Sequence, residues 1–222
     1  MDVGVNSQAR AELQALQLQV VPVTLIDGQV IIGFNRPALV RALGLSNARG
    51  AQELQGPEWM LQKFETVLGA AKRATSQIPD DMIDWTSPER GRNLRQFTFH
   101  LFDRPNLMLD AYPRGIFRAE DRGRYIHEAL EKRDVADIVA FGEQVIGRIR
   151  HFFGEATQDT LDTVIDTYMG PLTLQQLLDL GLGHSTHHLK QLYVFMRQIG
   201  IEPQEPLTER DFEGVTVPTE LF

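Results

Sequence analysis

The chain contains no cysteine. Disulfides, thiolate metal ligands and cysteine nucleophiles are therefore excluded, and any bound metal must be held by nitrogen and oxygen. It also lacks a basic excess: 22 Lys and Arg stand against 30 Asp and Glu, a net charge of −8. Binding to a phosphate backbone needs clustered cations, so nucleic acid is not an expected partner. No apolar run approaches the ~18–20 residues that span a bilayer. Met1-Asp2-Val3-Gly4-Val5-Asn6 has neither the basic nor the hydrophobic part of a signal peptide. No membrane partner is expected, and the cytoplasm is the expected compartment. What remains is ordinary for a soluble globular protein: 222 residues, 42% hydrophobic and 23% charged. That length suits one large domain, or a medium domain with a small companion.

The most informative residues are histidines. In Leu177-Leu178-Asp179-Leu180-Gly181-Leu182-Gly183-His184-Ser185-Thr186-His187-His188, His184 and His188 are four apart. On a helix that spacing stacks two imidazoles on one face. Leu177, Gly181, His184, His188, Gln191 and Phe195 form one stripe, flanked by Leu174, Leu178, Leu192 and Ile199, so the pair faces an apolar interior. His187 points about 100° away, towards a rim or solvent. His100 lies in a second apolar helical stretch, Leu94 to Leu109. Two histidines from one helix and one from another can hold a divalent metal and leave a coordination position open. Spacing alone equally suits a solvated helix face or satisfied core histidines. A buried imidazole needs a partner, however, and a metal supplies one.

The chain changes character near residue 50. Ser7 can cap a helix over Gln8 to Leu16, and the β-branched run Val20 to Ile26 reads as a strand. Asp27-Gly28 is a hairpin signal, Val30-Ile31-Ile32 is the return strand, and Asn35 can cap a short helix from Arg36 to Leu43. Residues 1–45 thus form a helix–strand–strand–helix unit, and 46–56 a small, polar linker. Residues 57–203 are strongly helical. One helix is expected from Pro57 to Ile78, stopped by Pro79, and a second from Thr86-Ser87-Pro88-Glu89 to about Tyr112. One or two lie within Tyr125 to Phe153, and a last long helix, opened by Gly170-Pro171-Leu172-Thr173, reaches Ile199. The expected fold is mainly α: a four-helix up-down bundle with one long crossover near Asp110 to His127, followed by a tail over 204–222.

Two resemblances follow from these residues. Val21-Pro22-Val23-Thr24-Leu25-Ile26-Asp27-Gly28 and Ile32-Gly33-Phe34-Asn35 resemble the second half of a glutaredoxin-like (thioredoxin-fold) domain. That resemblance implies a cis Val21–Pro22 bond and a truncated unit without the Cys-x-x-Cys helix, unable to act as a dithiol oxidoreductase. Residues 57–203 resemble the DinB-like superfamily. The carriers are Gly170-Pro171-Leu172-Thr173-Leu174-Gln175-Gln176-Leu177-Leu178, the His184-x3-His188 motif with Gln191 three residues on, and Phe97-Thr98-Phe99-His100-Leu101. Leu189 and Lys190 stand where the family often has arginine and glycine. The resemblance implies a four-helix bundle whose triad, His100, His184 and His188, binds a divalent metal such as Zn, Ni or Fe. It further implies thiol transfer or metal-dependent hydrolysis.

The expected function is therefore a metal-dependent enzyme acting on a small molecule, with a low-molecular-weight thiol as one candidate. The alternative is a non-catalytic, metal-stabilised binding or dimerisation module of a stress response, with a second copy of the chain as partner. Gln191 and Asp103 are further site candidates. Gln191 could bond a ligand or substrate, or equally stand as a polar residue at the bundle end; Asp103 could orient the free ring nitrogen of His100, but a solvated side chain is the default. Arg104 and Lys190 could meet an anionic substrate, but surface charge is the default for such residues. His127 and His151 sit in polar contexts and are not expected ligands, and Trp59 and Trp85 read as core.

Overall fold

A computed structural model describes residues 3, 6–18, 22–33, 36–44, 55–88, 91–218 and 221. The chain divides into two units, Met1–Glu53 and Leu54–Phe222.

In the first unit, α1 (Ser7–Ala15) begins one residue earlier than read. Asn6, not Ser7, supplies the cap by accepting a hydrogen bond from the Ala9 amide. Strands β1 (Val23–Ile26) and β2 (Gln29–Ile32) pair antiparallel, with Ile26 opposite Gln29. Asp27 and Gly28 both have positive φ, 48° and 81°. This is the backbone of a type I′ turn, whose twist matches a two-residue hairpin. A short helix α2 (Arg36–Ala42) follows. Asn35 and the Val21–Pro22 bond lie outside the described residues.

The second unit is built on four long helices: α3 (Pro57–Thr75), α4 (Leu94–Arg114), α6 (Val135–Glu155) and α8 (Leu174–Gln198). Each buries a stripe of apolar residues at helical spacing. In α3 the stripe is Met60, Phe64, Val67, Leu68 and Ala71; in α6 it is Ile138, Val145, Ile146, Ile149 and Phe153. α4 starts later than expected. Asn93, which accepts from the Gln96 amide, caps it, and the backbone of Thr86 pairs with that of Asn93 just before the helix. α4 also runs past Pro113 to Gly115, whose left-handed φ of 67° closes the helix. α8 opens with a capping box in which Thr173 and Gln176 each bond the other's backbone amide.

The order of helices around the bundle corrects the expected topology. α3 packs on α6 and α8, and α4 packs on α6 and α8, so the ring reads α3–α6–α4–α8. An up-down bundle would place each helix beside its sequence neighbour. Here the connections α3 to α4 and α6 to α8 cross the diagonals, while the segment read as the crossover joins two adjacent helices. That segment contains β3 (Ile116–Phe117) and the short α5 (Tyr125–Glu128). The α6-to-α8 connection contains α7 (Gln158–Leu161), β4 (Val164–Thr167) and β5 (Leu172–Thr173). β4 lies parallel to β3 and antiparallel to β5, pinning the entry of α8 to the exit of α4. The sequence reading did not anticipate this sheet, because two- to four-residue strands leave no periodic signal. Residues 201–218 return across the bundle and insert Phe212 into the core. No described helix is long and apolar enough to cross a membrane.

Candidate metal centre

α4 and α8 meet closely, and the reason begins with a proline. Pro105 sits inside α4 and has no amide proton, so the Leu101 carbonyl one turn earlier loses its helical donor. The Ser185 hydroxyl of α8 donates to that carbonyl at 2.8 Å. The bond fixes the register of the two helices next to His184 on one side and His100 on the other.

At this crossing His100, His184 and His188 converge, each offering one ligand nitrogen, with these nitrogens within 4.8 Å of one another. The Nε2 atoms of His100 and His184 are 2.9 Å apart. Three imidazoles bound tetrahedrally at zinc distances would hold their nitrogens roughly 3.3 Å apart, so small ring rotations suffice to seat an ion. The His184 ring stands perpendicular to both others, at 89° to His100 and 88° to His188. Phe97 packs its edge on His188 and Tyr125 covers His100, with ring centroids 5.0 and 4.0 Å away.

The protonation pattern suits a metal. Burial, then the charge of Arg104, pushes His100 well below the ordinary histidine range; burial, then His188, does the same to His184. Both rings are thus neutral, the form that ligates. The tautomer of His188 is set by Gln191. The amide nitrogen of Gln191 donates to His187 Nε2 at 3.1 Å and to the Leu221 carbonyl. Its oxygen is left to accept from His188 Nδ1–H at 2.7 Å, freeing the His188 Nε2 lone pair for the cluster. Gln191 therefore acts on a histidine of the triad. His187, read as a rim residue, is half-buried and belongs to the same network.

Asp103 departs from its expected role. It is buried rather than solvated, and neither carboxylate oxygen has a hydrogen-bond partner; His100 Nδ1 has none either, so Asp103 does not orient that ring. Burial, reinforced by Glu128, raises the Asp103 carboxyl to about 7. Arg104 also departs from the surface reading: it is buried, with Nη2 3.5 Å from His100 Nε2. Burial and Arg122 lower it to about 10, which leaves it charged at neutral pH. Lys190 remains peripheral, paired with Glu209. His127 is exposed, and His151 is exposed beside Glu155. His151 also lines a cleft of about 430 Å³ with Tyr112 and Arg148, which holds none of the triad. Trp59 and Trp85 pack against the core, half-buried.

Residues 52–216 match the DinB family. The chain belongs to the DinB family. No curated protein matches its sequence. Among solved structures, a DinB-like protein of Bacillus subtilis, YjoA, is 17% identical with a TM-score of 0.53, covering 68% of this chain and 96% of its own. YfiT of the same organism is 20% identical with a TM-score of 0.55, covering 68% and 94%. YfiT is described as a probable metal-dependent hydrolase with an unusual four-helix bundle topology. At these identities the likeness establishes the DinB-like fold.

Proposed function

We propose that this DinB-family protein is a divalent-metal-dependent enzyme that acts on a small molecule by metal-assisted hydrolysis. The carrying observation is the triad. Three imidazoles converge on one point, and among the described residues no carboxylate or further histidine completes the set. Three ligands leave a position for water or substrate. A divalent ion held there by His100, His184 and His188 would supply a Lewis acid able to activate water or a thiol near neutral pH. Around it the chain's own residues act. Gln191 holds His188 in the ligating tautomer, Ser185 holds the two helices in register, and Phe97 and Tyr125 limit water at two of the rings. The description of YfiT supports hydrolysis. Activation of a low-molecular-weight thiol is the second reading; it is favoured by the likeness of Val21-Pro22 and Ile32-Gly33-Phe34-Asn35 to a glutaredoxin strand and turn. A metal-stabilised binding module would instead need a sealed ion.

The test is metal analysis of the purified protein with parallel hydrolysis and thiol-transfer screens. Wild type should carry one ion per chain. His184→Ala with His188→Ala should lose it while keeping helix content, and His187→Ala should keep it. Equal metal content in wild type and the double variant would overturn the proposal.

A further inference from the structure

Resting on the metal-dependent reading of the triad, we propose that Arg104, supported by Arg92 and Arg122, forms a subsite for an oxyanion of the substrate, a carboxylate or a phosphate. Arg104 is 6% exposed and lies one helical turn beyond His100, on the same face of α4. Its Nη2 lies 3.5 Å from His100 Nε2, the nitrogen that also faces His184. Its Nε has no hydrogen-bond partner, and no carboxylate of the described residues pairs with it. Asp103, its sequence neighbour, is about 100° around the helix and forms no ion pair with it. A buried guanidinium without a counter-ion carries a large desolvation cost. Such a group persists where a ligand completes it.

Arginines elsewhere that pair with carboxylates offer a contrast. Carboxylates outnumber cations, and Arg73, Arg95, Arg114, Arg124, Arg148 and Arg150 are all paired with one. Among the described residues Arg92 and Arg122 have no such partner, and they lie on rings, Arg92 5.4 Å from the centroid of Tyr125 and Arg122 5.1 Å from that of Tyr168. Tyr125 in turn covers His100, and the fields of Arg104, Arg92 and Arg122 all act on His100. A dication held by three neutral imidazoles keeps its full charge. With such an ion bound, the centre would be strongly positive inside an acidic protein. The guanidinium fork matches a carboxylate or phosphate bidentately, so the anionic group is oriented by Arg104 beside the ion.

The experiment titrates inorganic phosphate and, separately, acetate into full-length protein that has been incubated with a divalent metal and freed of excess, reading affinity by calorimetry and counting metal in the same samples. Wild type should bind at least one of the two, and the better-bound anion indicates which group the substrate carries. Arg104→Gln should bind about tenfold more weakly or worse, the loss of a charge-assisted pair, with its metal retained. Its anion-free melting temperature should equal or exceed that of wild type, because an uncompensated charge has left the interior. Arg124→Gln, which removes an arginine paired with Glu128, should bind as wild type. Arg122→Gln should weaken binding and serves as the second variant if Arg104→Gln does not fold. Equal affinity in wild type and Arg104→Gln with metal retained, or no binding of either anion by wild type, would overturn the subsite. Anion binding by a wild type that takes up no metal would support the subsite and remove the metal-dependent reading instead.

Discussion

A single carboxyl in the α4 wall gives the molecule a measurable pH dependence. Asp103 has its pKa raised by burial to about 7 from 3.8. A carboxyl whose folded-state pKa lies above its unfolded value holds its proton more tightly in the native state. Unfolding then releases that proton between pH 4 and 7, so stability falls as pH rises through this window and levels above it. The full shift corresponds to about 4 kcal/mol at most. Asp103→Asn should flatten that part of the stability profile, with thermal melts at half-unit pH steps as the measurement; parallel profiles for wild type and variant would refute it. The same residue shows where sequence reading stops. Helical spacing places Asp103 near His100, but whether a side chain three residues on bonds the ring or is left unpartnered is a matter of rotamer and neighbours from α5, which carries Glu128. Arg104 was misjudged for the same reason. One-dimensional pattern assigns charge to the surface, and only tertiary packing buries it. His100, His184 and His188 were legible because two of them share a helix turn and all sit in apolar stripes.

Elements report their contacts through small residues and one proline. Leu101, deprived of its helical donor by Pro105, is served by Ser185. Ser185→Ala should cost about 1–2 kcal/mol, since it leaves a buried carbonyl unpaired. Pro105→Ala supplies a helical donor to the same carbonyl, so the serine substitution should cost less in that background. Denaturant melts of the four-member cycle measure the coupling, and additive costs would dismiss the link. α8 offers a second comparison. A methyl added at Gly183 would lie 2.2 Å from the Thr216 carbonyl oxygen, a backbone atom, whereas one at Gly181 would meet the thioether of Met108 at 2.4 Å. The thioether can swing and the backbone cannot without moving the tail. Gly183→Ala should therefore cost about 1–3 kcal/mol and Gly181→Ala less, read as shifts in urea midpoint; the reverse order would show that the tail yields freely. The helix elements themselves were largely readable from apolar period and caps. The start of α4 was not, because Thr86-Ser87-Pro88 imitates an N-terminus while Asn93 provides one.

At the scale of the whole molecule, all three histidines, Gln191, Ser185 and the core around them belong to residues 54–222. That segment expressed alone should keep its helical circular dichroism and its metal stoichiometry; loss of either would show that residues 1–53 are required for the centre. The ring order α3–α6–α4–α8 was invisible in the sequence, since apolar stripes say that a helix is packed and not which helix packs beside it. That order has a consequence for how the protein is made. The chain leaves the ribosome from its N-terminus, so α3, α4 and α6 exist before α8 does. These three form one side of the ring and leave a trough between α3 and α4, the place α8 will occupy. Until the last helix arrives, a single imidazole from α4 stands over that trough, too few donors to retain an ion. An ion taken up by the triad would therefore have to wait for α8 to dock, and would latch the last of the four long helices to the other three.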